Sequence, residues 1–359
     1  MNRRRFLTTL SASILAPWVS QADDETRDQM DNFLAGRFNW SVGPPLIMPA
    51  NRPEDPCHAI KDPSIVYFGG RWHVFCTIRS QKRSHQIEYL SFADFENANK
   101  AERHVLKLTD GYFAAPQIFY FSPHEKWYLI YQVVDNARKP ALQPAYSTTR
   151  EISDPTSWSQ PALLFSAQPE NINKIWIDFW LICDPSRANL FFTTLDGQMW
   201  RAETKLSDFP SGWNRPSVVL RGDFFEASHT YHLRELNKFL TIIEAKAGGL
   251  LSKLLSATKI QAGDRRYYQA YLADRLDGSW VPLAITEARP FAGSANVQGR
   301  GTNWTDTFSH GELLREGFDE TLALDPTRLR FLFQGASDED RAGKTYSDIP
   351  WRLGLLEPA

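Results

Sequence analysis

Five β-hairpins recur along this chain, and they restrict its fold more than any other feature. Each begins at a polar or small residue, continues as a strand-forming run, turns at residues such as Gly, Pro, Asn or Asp, and resumes as a second β run. The segments are "KDPSIVYFGGRWHVFCTI", "AAPQIFYFSPHEKWYLIYQ", "IDFWLICDPSRANLFFTTLDG", "FFEASHTYHLRELNKFLTIIEA" and "SHGELLREGFDETLALDPTRLRFLFQG". Their starts fall near Asp62, Pro116, Asp178, Glu226 and His310, and a spacing of roughly 50 to 80 residues leaves room for two further strands in each unit.

This repeat predicts an all-β fold, a five-bladed β-propeller. Radial repetition of four-stranded sheets leaves only short edges, which is how propellers protect their strands. A large β-sandwich is the alternative, but it would not explain the equivalent starting positions. The best helical segment is 24–36, which has an acidic first turn and a Gly at its end. We therefore predict one propeller domain over residues 23–359.

The innermost strand of each propeller blade lines the central channel, so residues at the hairpin starts should converge on the axis. The sequence predicts that Asp62, Asp178 and Glu226 meet there, together with Gln117 and the 310–312 turn. Facing carboxylates raise one another's pKa, a cost that is common in active sites. Glycoside hydrolysis uses such groups, because one carboxyl protonates the leaving oxygen and another attacks carbon or activates water. We therefore predict an active site at the central axis.

Other catalytic motifs and partners find little support in the sequence. It contains no G-x-S-x-G, P-loop or HExxH motif, which disfavours esterase, kinase and zinc-protease functions. A net charge of −2 gives no electrostatic basis for binding nucleic acid. Cys57, Cys76 and Cys183 allow at most one disulfide and lack metal-site spacing, and Cys76 and Cys183 fall in apolar runs typical of buried positions.

Residues 1–22 have the features of an export signal. Three arginines at positions 3–5 precede Phe6 and Leu7, an apolar stretch runs to about Val19, and small residues follow. The apolar stretch is too short to span a bilayer comfortably. The arginine pair followed by Phe-Leu resembles a bacterial twin-arginine signal, and an ordinary secretory signal would lead to the same compartment. We predict a secreted or periplasmic protein with no membrane span.

An ordered set of strings resembles glycoside hydrolase family 62, the α-L-arabinofuranosidases that act on arabinoxylan. They include "AIKDPSIV", "PQIFYFSPHEKWYLIYQ", "PAYSTTREISDPTSWS", "WIDFWLICD", "FFEA", "PFAGSANV", "WTDTFSHGELLR", "LRFLFQG" and "TYSDIPWRLGLL". The resemblance covers residues 38–356. It implies a five-bladed propeller that removes single arabinofuranosyl branches from arabinoxylan or arabino-xylo-oligosaccharides with inversion.

The resemblance also implies roles for the three carboxylates. Asp62 of "KDP" resembles the general base, and Glu226 of "FEA" resembles the general acid. Asp178 of "WIDFW" resembles the residue that positions the acid and modulates its strength. Inversion would require the carboxyl groups of base and acid to lie roughly 6.5 to 9.5 Å apart.

Further residues match the family's strings. His310 of "SHGE" resembles the histidine that faces a largely hydrated calcium ion on the axis, and because calcium prefers oxygen ligands, water would supply most of its shell. Lys61, Gln117, Tyr146 and Tyr346 are the candidate substrate-binding residues, and Tyr346 is a plausible stacking platform for a sugar.

The chain departs from the family pattern in an apparent insertion at 246–264, in which "GLLSKLLSATKI" has apolar residues at helical spacing. Ser228 and His229 follow the acid directly, and this departure is expected to alter the aglycone side of the site. Two other functions remain open. One is that of the related five-bladed family 43, which includes arabinanases and xylosidases, and the other is non-catalytic carbohydrate binding, which would not require three axial carboxylates.

Overall fold

The computed structural model describes residues 21–249, 259–261, 263–301 and 303–359. The first 20 residues of the predicted export signal lie outside this part, as do residues 250–258 and 262 of the predicted insertion. The described chain forms five β-sheets arranged as the blades of a propeller, which confirms the predicted all-β fold. No helix in the described ranges has the length and apolar character needed to cross a membrane.

Twenty-three strands make up the five sheets. In chain order they are β1 (Trp40–Val42), β2 (Cys57–Phe68), β3 (Arg71–Ser80), β4 (Gln86–Phe92), β5 (Arg103–Val105), β6 (Phe113–Phe121), β7 (Lys126–Val134), β8 (Leu142–Thr149), β9 (Ala162–Leu163), β10 (Ile177–Cys183), β11 (Arg187–Thr193), β12 (Gln198–Lys205), β13 (Ser217–Arg221), β14 (Glu226–Leu233), β15 (Lys238–Lys246), β16 (Arg266–Ala273), β17 (Val281–Thr286), β18 (Arg289–Pro290), β19 (Val297–Gly299), β20 (Thr307–Leu313), β21 (Ala323–Leu324), β22 (Phe331–Ala336) and β23 (Arg352–Pro358).

The blades follow chain order. Blades 1, 2 and 3 consist of β2–β5, β6–β9 and β10–β13, and in each sheet the strands are ordered outward as they occur in the chain. Blade 4 runs outward from β14 through β15, β16 and β17 to β18, and β21 pairs in parallel with β14. Blade 5 has the order β20, β22, β23, β1, β19. The innermost strands are therefore β2, β6, β10, β14 and β20, and these contain the five predicted hairpin starts.

The N-terminal strand closes the ring. β1 pairs antiparallel with β23, so that Trp40 lies opposite Pro358 and Val42 opposite Leu356, and it pairs in parallel with β19. Trp40 is buried, and its indole N–H donates to the carbonyl of Phe291 at 2.6 Å. The first and last strands of the propeller thus stabilise one sheet together.

Helices are few in the described ranges. The α-helices are α1 (Gln21–Leu34) and α2 (Asp338–Arg341), and the 3-10 helices are Phe95–Lys100, Ser122–His124, Arg234–Leu236 and Tyr346–Asp348. α1 corresponds to the helix predicted at 24–36. It ends before Gly36, whose φ of 63° lies in the left-handed region that glycine adopts readily.

Large apolar side chains fill the space between blades. Trp127, Trp176, Trp180 and Trp351 are almost completely buried, so part of the high aromatic content belongs to the core. Cys76 and Cys183 are buried as predicted, and all three cysteines are free thiols. The consequence is a rigid scaffold whose five inner strands are held at fixed positions around the axis.

Candidate active site

A β-bulge interrupts every innermost strand at the hairpin start singled out in the sequence. The pairing register shifts between Lys61 and Ser64, and the equivalent shifts occur in β6, β10, β14 and β20. Four residues at these bulges have positive φ, namely Asp62 (48°), Ala115 (53°), Asp178 (56°) and Ala227 (53°). A left-handed conformation at a residue other than glycine costs about 1–3 kcal/mol, so the surrounding structure must hold it in place. A bulge also redirects its side chain, here toward the channel.

Side chains of the preceding blade hold these five bulges. At each junction between blades, an oxygen atom of one blade accepts a hydrogen bond from the backbone N–H of the bulge in the next. The pairs are Asp62 N to Gln334 Oε1 (2.8 Å), Ala115 N to Thr77 Oγ1 (2.9 Å), Asp178 N to Gln132 Oε1 (3.3 Å), Ala227 N to Asp178 Oδ2 (3.0 Å) and His310 N to Glu244 Oε2 (2.8 Å). We call these five bonds the bulge ring, and they satisfy N–H groups that would otherwise be buried without a partner.

Asp62 and Asp178 meet at the axis with His310 between them. His310 Nδ1 lies 3.5 Å from Asp62 Oδ1 and 3.6 Å from Asp178 Oδ1. All three side chains are buried. Burial, followed by the charges of Glu226 and Asp62, raises the pKa of Asp178 well above its usual range. The structure therefore brings together the carboxylates that the sequence predicted at the axis.

Glu226 is the first residue of β14, and the next residue, Ala227, is hydrogen-bonded to Asp178. The Ala227 N–H donates to Asp178 Oδ2, so Asp178 fixes the backbone next to Glu226. The Glu226 carboxylate contacts Arg266 Nη1, and its side chain is 15% exposed, more open than the 6% of Asp178. An acid that serves an incoming sugar must be reachable in this way.

Arg266 and Glu244 are site residues that the sequence analysis missed. Arg266 Nη1 lies 2.5 Å from Glu244 Oε1, and its guanidinium carbon lies 4.7 Å from the centre of the Tyr346 ring. Although burial opposes the charge of Arg266, Glu244 and Glu226 raise its pKa well above the ordinary value. Burial raises the pKa of Glu244 to about 7, although Arg266 opposes this.

Glu244 could have been found from the sequence, because it is a carboxylate inside an apolar strand, "FLTIIEA", just as Asp62 is. Arg266 carries no comparable signal. It follows the apparent insertion, and its pairing with Glu226 joins positions 40 residues apart.

Lys61 and Tyr346 form the wall beside Asp62. Lys61 Nζ lies 3.5 Å from Asp62 Oδ1 and donates to the Tyr346 hydroxyl at 3.1 Å. Although burial opposes the charge, the Asp62 carboxylate and Tyr346 raise the pKa of Lys61 above its ordinary value. Tyr346 lies between the cations Lys61 and Arg266, each 4.7 Å from its ring centre. The structure therefore places both of these candidate substrate-binding residues beside the proposed catalytic carboxylate Asp62.

Gln117 and Tyr146 lie elsewhere. The Gln117 amide is buried and links blades 2 and 3, because its Nε2 donates to Leu181 O and its Oε1 accepts from Leu181 N, both at 2.7 Å. Tyr146 lies on β8, the third strand from the axis, and packs against Tyr128 at 5.6 Å between ring centres. The structure thus does not bring these two side chains to the carboxylates.

Burial favours the neutral form of the His310 imidazole. Burial and then the charge of Lys61 lower its pKa to about 3. His229 packs against it and stacks on Trp180 with ring centres 4.0 Å apart. His229 and Ser228 are both buried.

Within the described ranges, no group of three or more His, Cys, Asp and Glu residues is arranged to hold a metal ion. A calcium ion at His310 would therefore need a shell supplied mainly by water, as the sequence analysis expected.

Comparison with known proteins agrees with this geometry. The sequence profile of glycosyl hydrolase family 62 matches residues 47–357. Alpha-L-arabinofuranosidase C of Cellvibrio japonicus (strain Ueda107) is 37% identical over 330 residues, which are 90% of this chain and 47% of that protein. The chain thus spans about half the length of this curated relative.

Solved structures give the same result for the fold. The catalytic domain of a family 62 α-L-arabinofuranosidase from Coprinopsis cinerea has a TM-score of 0.80 at 36% identity, covering 91% of this chain and 98% of that one. A family 62 hydrolase solved with xylotriose has a TM-score of 0.78 at 34% identity, covering 90% and 98%. A thermostable family 43 glycoside hydrolase has a TM-score of 0.56 at 12% identity, over 84% of this chain and 89% of that one, and shares the fold alone.

Proposed function

The chain belongs to glycosyl hydrolase family 62, and we propose that it is an α-L-arabinofuranosidase that removes single non-reducing-end arabinofuranosyl branches from arabinoxylan, or from arabino-xylo-oligosaccharides, with inversion. The observation that carries this proposal is the meeting of Asp62, Asp178 and Glu226 at the axis from three separate blades. Buried carboxylates held close together cost free energy of folding, and such an arrangement is common where the carboxylates take part in catalysis.

Asp62 is the proposed general base. Its carboxylate lies on the buried side of the site, and Lys61 provides a positive charge 3.5 Å from Oδ1. There it would accept a proton from a water molecule that attacks the anomeric carbon on the face opposite the leaving group. Gln334 supports this role, because it holds the Asp62 backbone in the left-handed bulge that directs the carboxylate to the channel.

Glu226 is the proposed general acid, and Asp178 is its positioning residue. Asp178 acts through the hydrogen bond that its carboxylate accepts from the Ala227 N–H, since this bond fixes the start of β14. The raised pKa of Asp178 agrees with a carboxyl cluster that retains a proton at neutral pH, as acid catalysis requires. Glu226 must release Arg266 to protonate the glycosidic oxygen, and Glu244 remains as the second partner of that guanidinium.

Lys61 and Tyr346 are the proposed substrate contacts at the sugar. Their polar atoms adjoin Asp62, and the Tyr346 ring provides an apolar face for a furanose. The xylan part of the substrate is proposed because a family 62 relative was solved with xylotriose, a fragment of the xylan backbone.

A calcium ion at His310 remains part of the proposal. Burial favours the neutral form of the His310 imidazole, which has a lone pair, and Asp62 and Asp178 lie close enough to bind water molecules around an ion. The positive charge of such an ion would reduce repulsion between the two carboxylates.

We also propose that residues 1–22 direct the protein out of the cytoplasm, to the periplasm or the medium, where polysaccharides occur. Cell fractionation of the wild type and of a variant with Arg3 and Arg4 replaced by lysine tests this. Equal export of the two would contradict a twin-arginine signal.

The test of the catalytic proposal is release of free arabinose from wheat arabinoxylan, with wild type beside Glu226→Gln. We expect arabinose from the wild type and none from the variant, and NMR of the first product should give the inverted anomer. Release of xylose or arabino-oligosaccharides would instead point to an activity of the family 43 type. Binding without any product would point to a carbohydrate-binding propeller.

A further inference from the structure

A row of basic side chains leads from the site along blade 1. Cross-strand partners in an antiparallel pair point to the same face, and residues two apart on a strand do as well. Lys61 pairs with Thr77, and Arg79 is the next residue of β3 on that face. Lys61 and Arg79 therefore share one face of the blade. The register of β3 with β4 ends at Ile78 opposite Gln86, and His85 directly precedes β4 at this end of the blade.

This face lies against blade 2. The Thr77 hydroxyl accepts from the Ala115 N–H of blade 2 at 2.9 Å, and the Phe113 N–H donates to His85 O at 3.3 Å. Burial and then the charges of Lys61 and Arg79 lower the pKa of His85 to about 3. The row begins beside Asp62 and runs outward between the two blades.

Arg79 has no partner for its charge in the described part of the chain. Its guanidinium makes no ion pair or hydrogen bond there, and its Nε is completely buried. The nearby acids of blade 1 already have partners, since Asp55 pairs with Arg83, and Glu88 pairs with Arg52 and Arg103. A half-buried cation without a carboxylate is unfavourable, and its planar fork fits a carboxylate in a bidentate way.

Space for a ligand group lies at the same end of blade 1. Arg83, two residues before His85, and Gln86, directly after it, line a cavity of about 790 Å³ together with residues 105–110 and 160–161. Lys107 adds a second cation to this cavity, and Asp110 is the acidic residue in its lining. The cavity has room for a sugar substituent at this end of blade 1.

We propose that Arg79 belongs to a subsite that binds the carboxylate of a uronic acid carried by the xylan chain near the arabinofuranosyl branch. The inference rests on the proposed function and adds a substrate class to it, acidic arabinoxylan. Arg79 would bind the carboxylate directly, and Lys107 would contribute attraction at longer range. The His85 ring packs against the ring of Tyr112, with the two ring centres 4.8 Å apart.

The test compares two arabino-xylo-oligosaccharides that differ only in a glucuronic acid on a xylose next to the branch. The ratio of kcat/KM for the acidic and the neutral substrate is measured for the wild type, Arg79→Gln and Arg79→Lys. Arg328→Gln is the matched control, because the Arg328 side chain is 83% exposed and belongs to a turn outside the row. We expect Arg79→Gln to lower the ratio about tenfold, Arg79→Lys to lower it less, and 0.5 M salt to lower the wild-type ratio.

An unchanged ratio in Arg79→Gln would overturn the proposal. If kcat/KM fell equally on both substrates, the ratio would be unchanged in this way and Arg79 would instead bind hydroxyl groups or support the fold. Calorimetry separates this outcome from failure of the proposed function. A xylo-oligosaccharide with glucuronic acid but no arabinose is titrated into the wild type and Arg79→Gln, beside its neutral counterpart. Preference for the acidic sugar in the wild type alone would support the subsite even without arabinose release, and equal affinities would refute it.

Discussion

Replacing Gln334 by leucine should displace the proposed base without altering its side chain. The Gln334 amide is completely buried, accepts from the Asp62 N–H at 2.8 Å and donates to Ser309 Oγ at 3.0 Å. Leucine leaves the Asp62 N–H without a partner, which costs about 1–3 kcal/mol. Ser309 keeps Glu244 as a partner at 3.0 Å, so its loss adds little. We expect the free energy of unfolding to fall by about 1–3 kcal/mol.

Activity should fall as well as stability. Asp62 has a φ of 48°, a conformation that costs about 1–3 kcal/mol and that the bond from Gln334 helps to hold. When this bond is lost, the bulge can relax and the carboxylate moves from the position of the attacking water. A displacement of about 1 Å costs about 100-fold in rate. We expect kcat on arabinoxylan to fall between about tenfold and 100-fold, with KM nearly unchanged because Lys61 and Tyr346 remain.

Thr77→Val is the matched control. Thr77 occupies the equivalent position of blade 1 and caps Ala115, a bulge residue without a catalytic side chain. Its loss should lower stability by a similar amount and leave kcat unchanged. Urea denaturation and initial rates of arabinose release measure both quantities. Equal losses of kcat in Gln334→Leu and Thr77→Val would refute the reasoning, because the effect would then come from general loosening of the ring.

Three further predictions follow from the packing and the proposed ion. Gln117→Leu leaves the buried N–H and C=O of Leu181 without partners, so we expect the free energy of unfolding to fall by about 2–6 kcal/mol and KM to stay unchanged. A raised KM with full stability would instead indicate that Gln117 binds the substrate. A variant that begins after Val42 lacks the buried Trp40 and exposes the edge of β23. We expect calorimetry to show a loss of at least about 3–5 kcal/mol in the free energy of unfolding. An unaltered Tm would contradict the closure of the propeller by β1. If calcium binds at His310, the free energy of unfolding should rise by about 2.7 kcal/mol at a calcium concentration of 100 times its dissociation constant. A Tm that changes neither with a chelator nor with added calcium would exclude the site.

The hairpin repeat could be read from the sequence because it depends on local pattern. Alternating strand-forming runs and turn residues predicted five blades, and the polar residue at the front of each hairpin marked the bulge. Asp62 stood out as a carboxylate within an apolar strand. The same signal also fits Glu88 and Glu312, which are buried and paired with arginines. The pattern therefore identifies buried carboxylates, and the family resemblance was needed to choose among them.

The residues that the sequence analysis misplaced or missed depend on contacts between distant segments. Tyr146 lies in a string typical of the family, but distance from the axis depends on the position of β8 in its sheet, which a string does not contain. Gln117 lies on the inner strand β6, directly after its bulge, and the orientation of its amide toward Leu181 is set by the neighbouring blade. Arg266 joins Glu226 and Glu244 only after β16 has paired with β15.

Blade 3 differs from the other blades in the residue that supplies the capping oxygen of the bulge ring, and this difference accounts for the position of Asp178. In blades 1, 2, 4 and 5 the capping oxygen comes from the second strand, at the residue paired just before the bulge. The equivalent residue of blade 3 is Thr193, and its buried hydroxyl has no hydrogen-bond partner in the described part of the chain. Asp178 caps Ala227 in its place, from the first strand. Because one carboxylate oxygen holds the backbone beside Glu226 and the other faces His310 at 3.6 Å, Asp178 fixes the acid relative to the axis, a constraint that a cap from Thr193 would not provide.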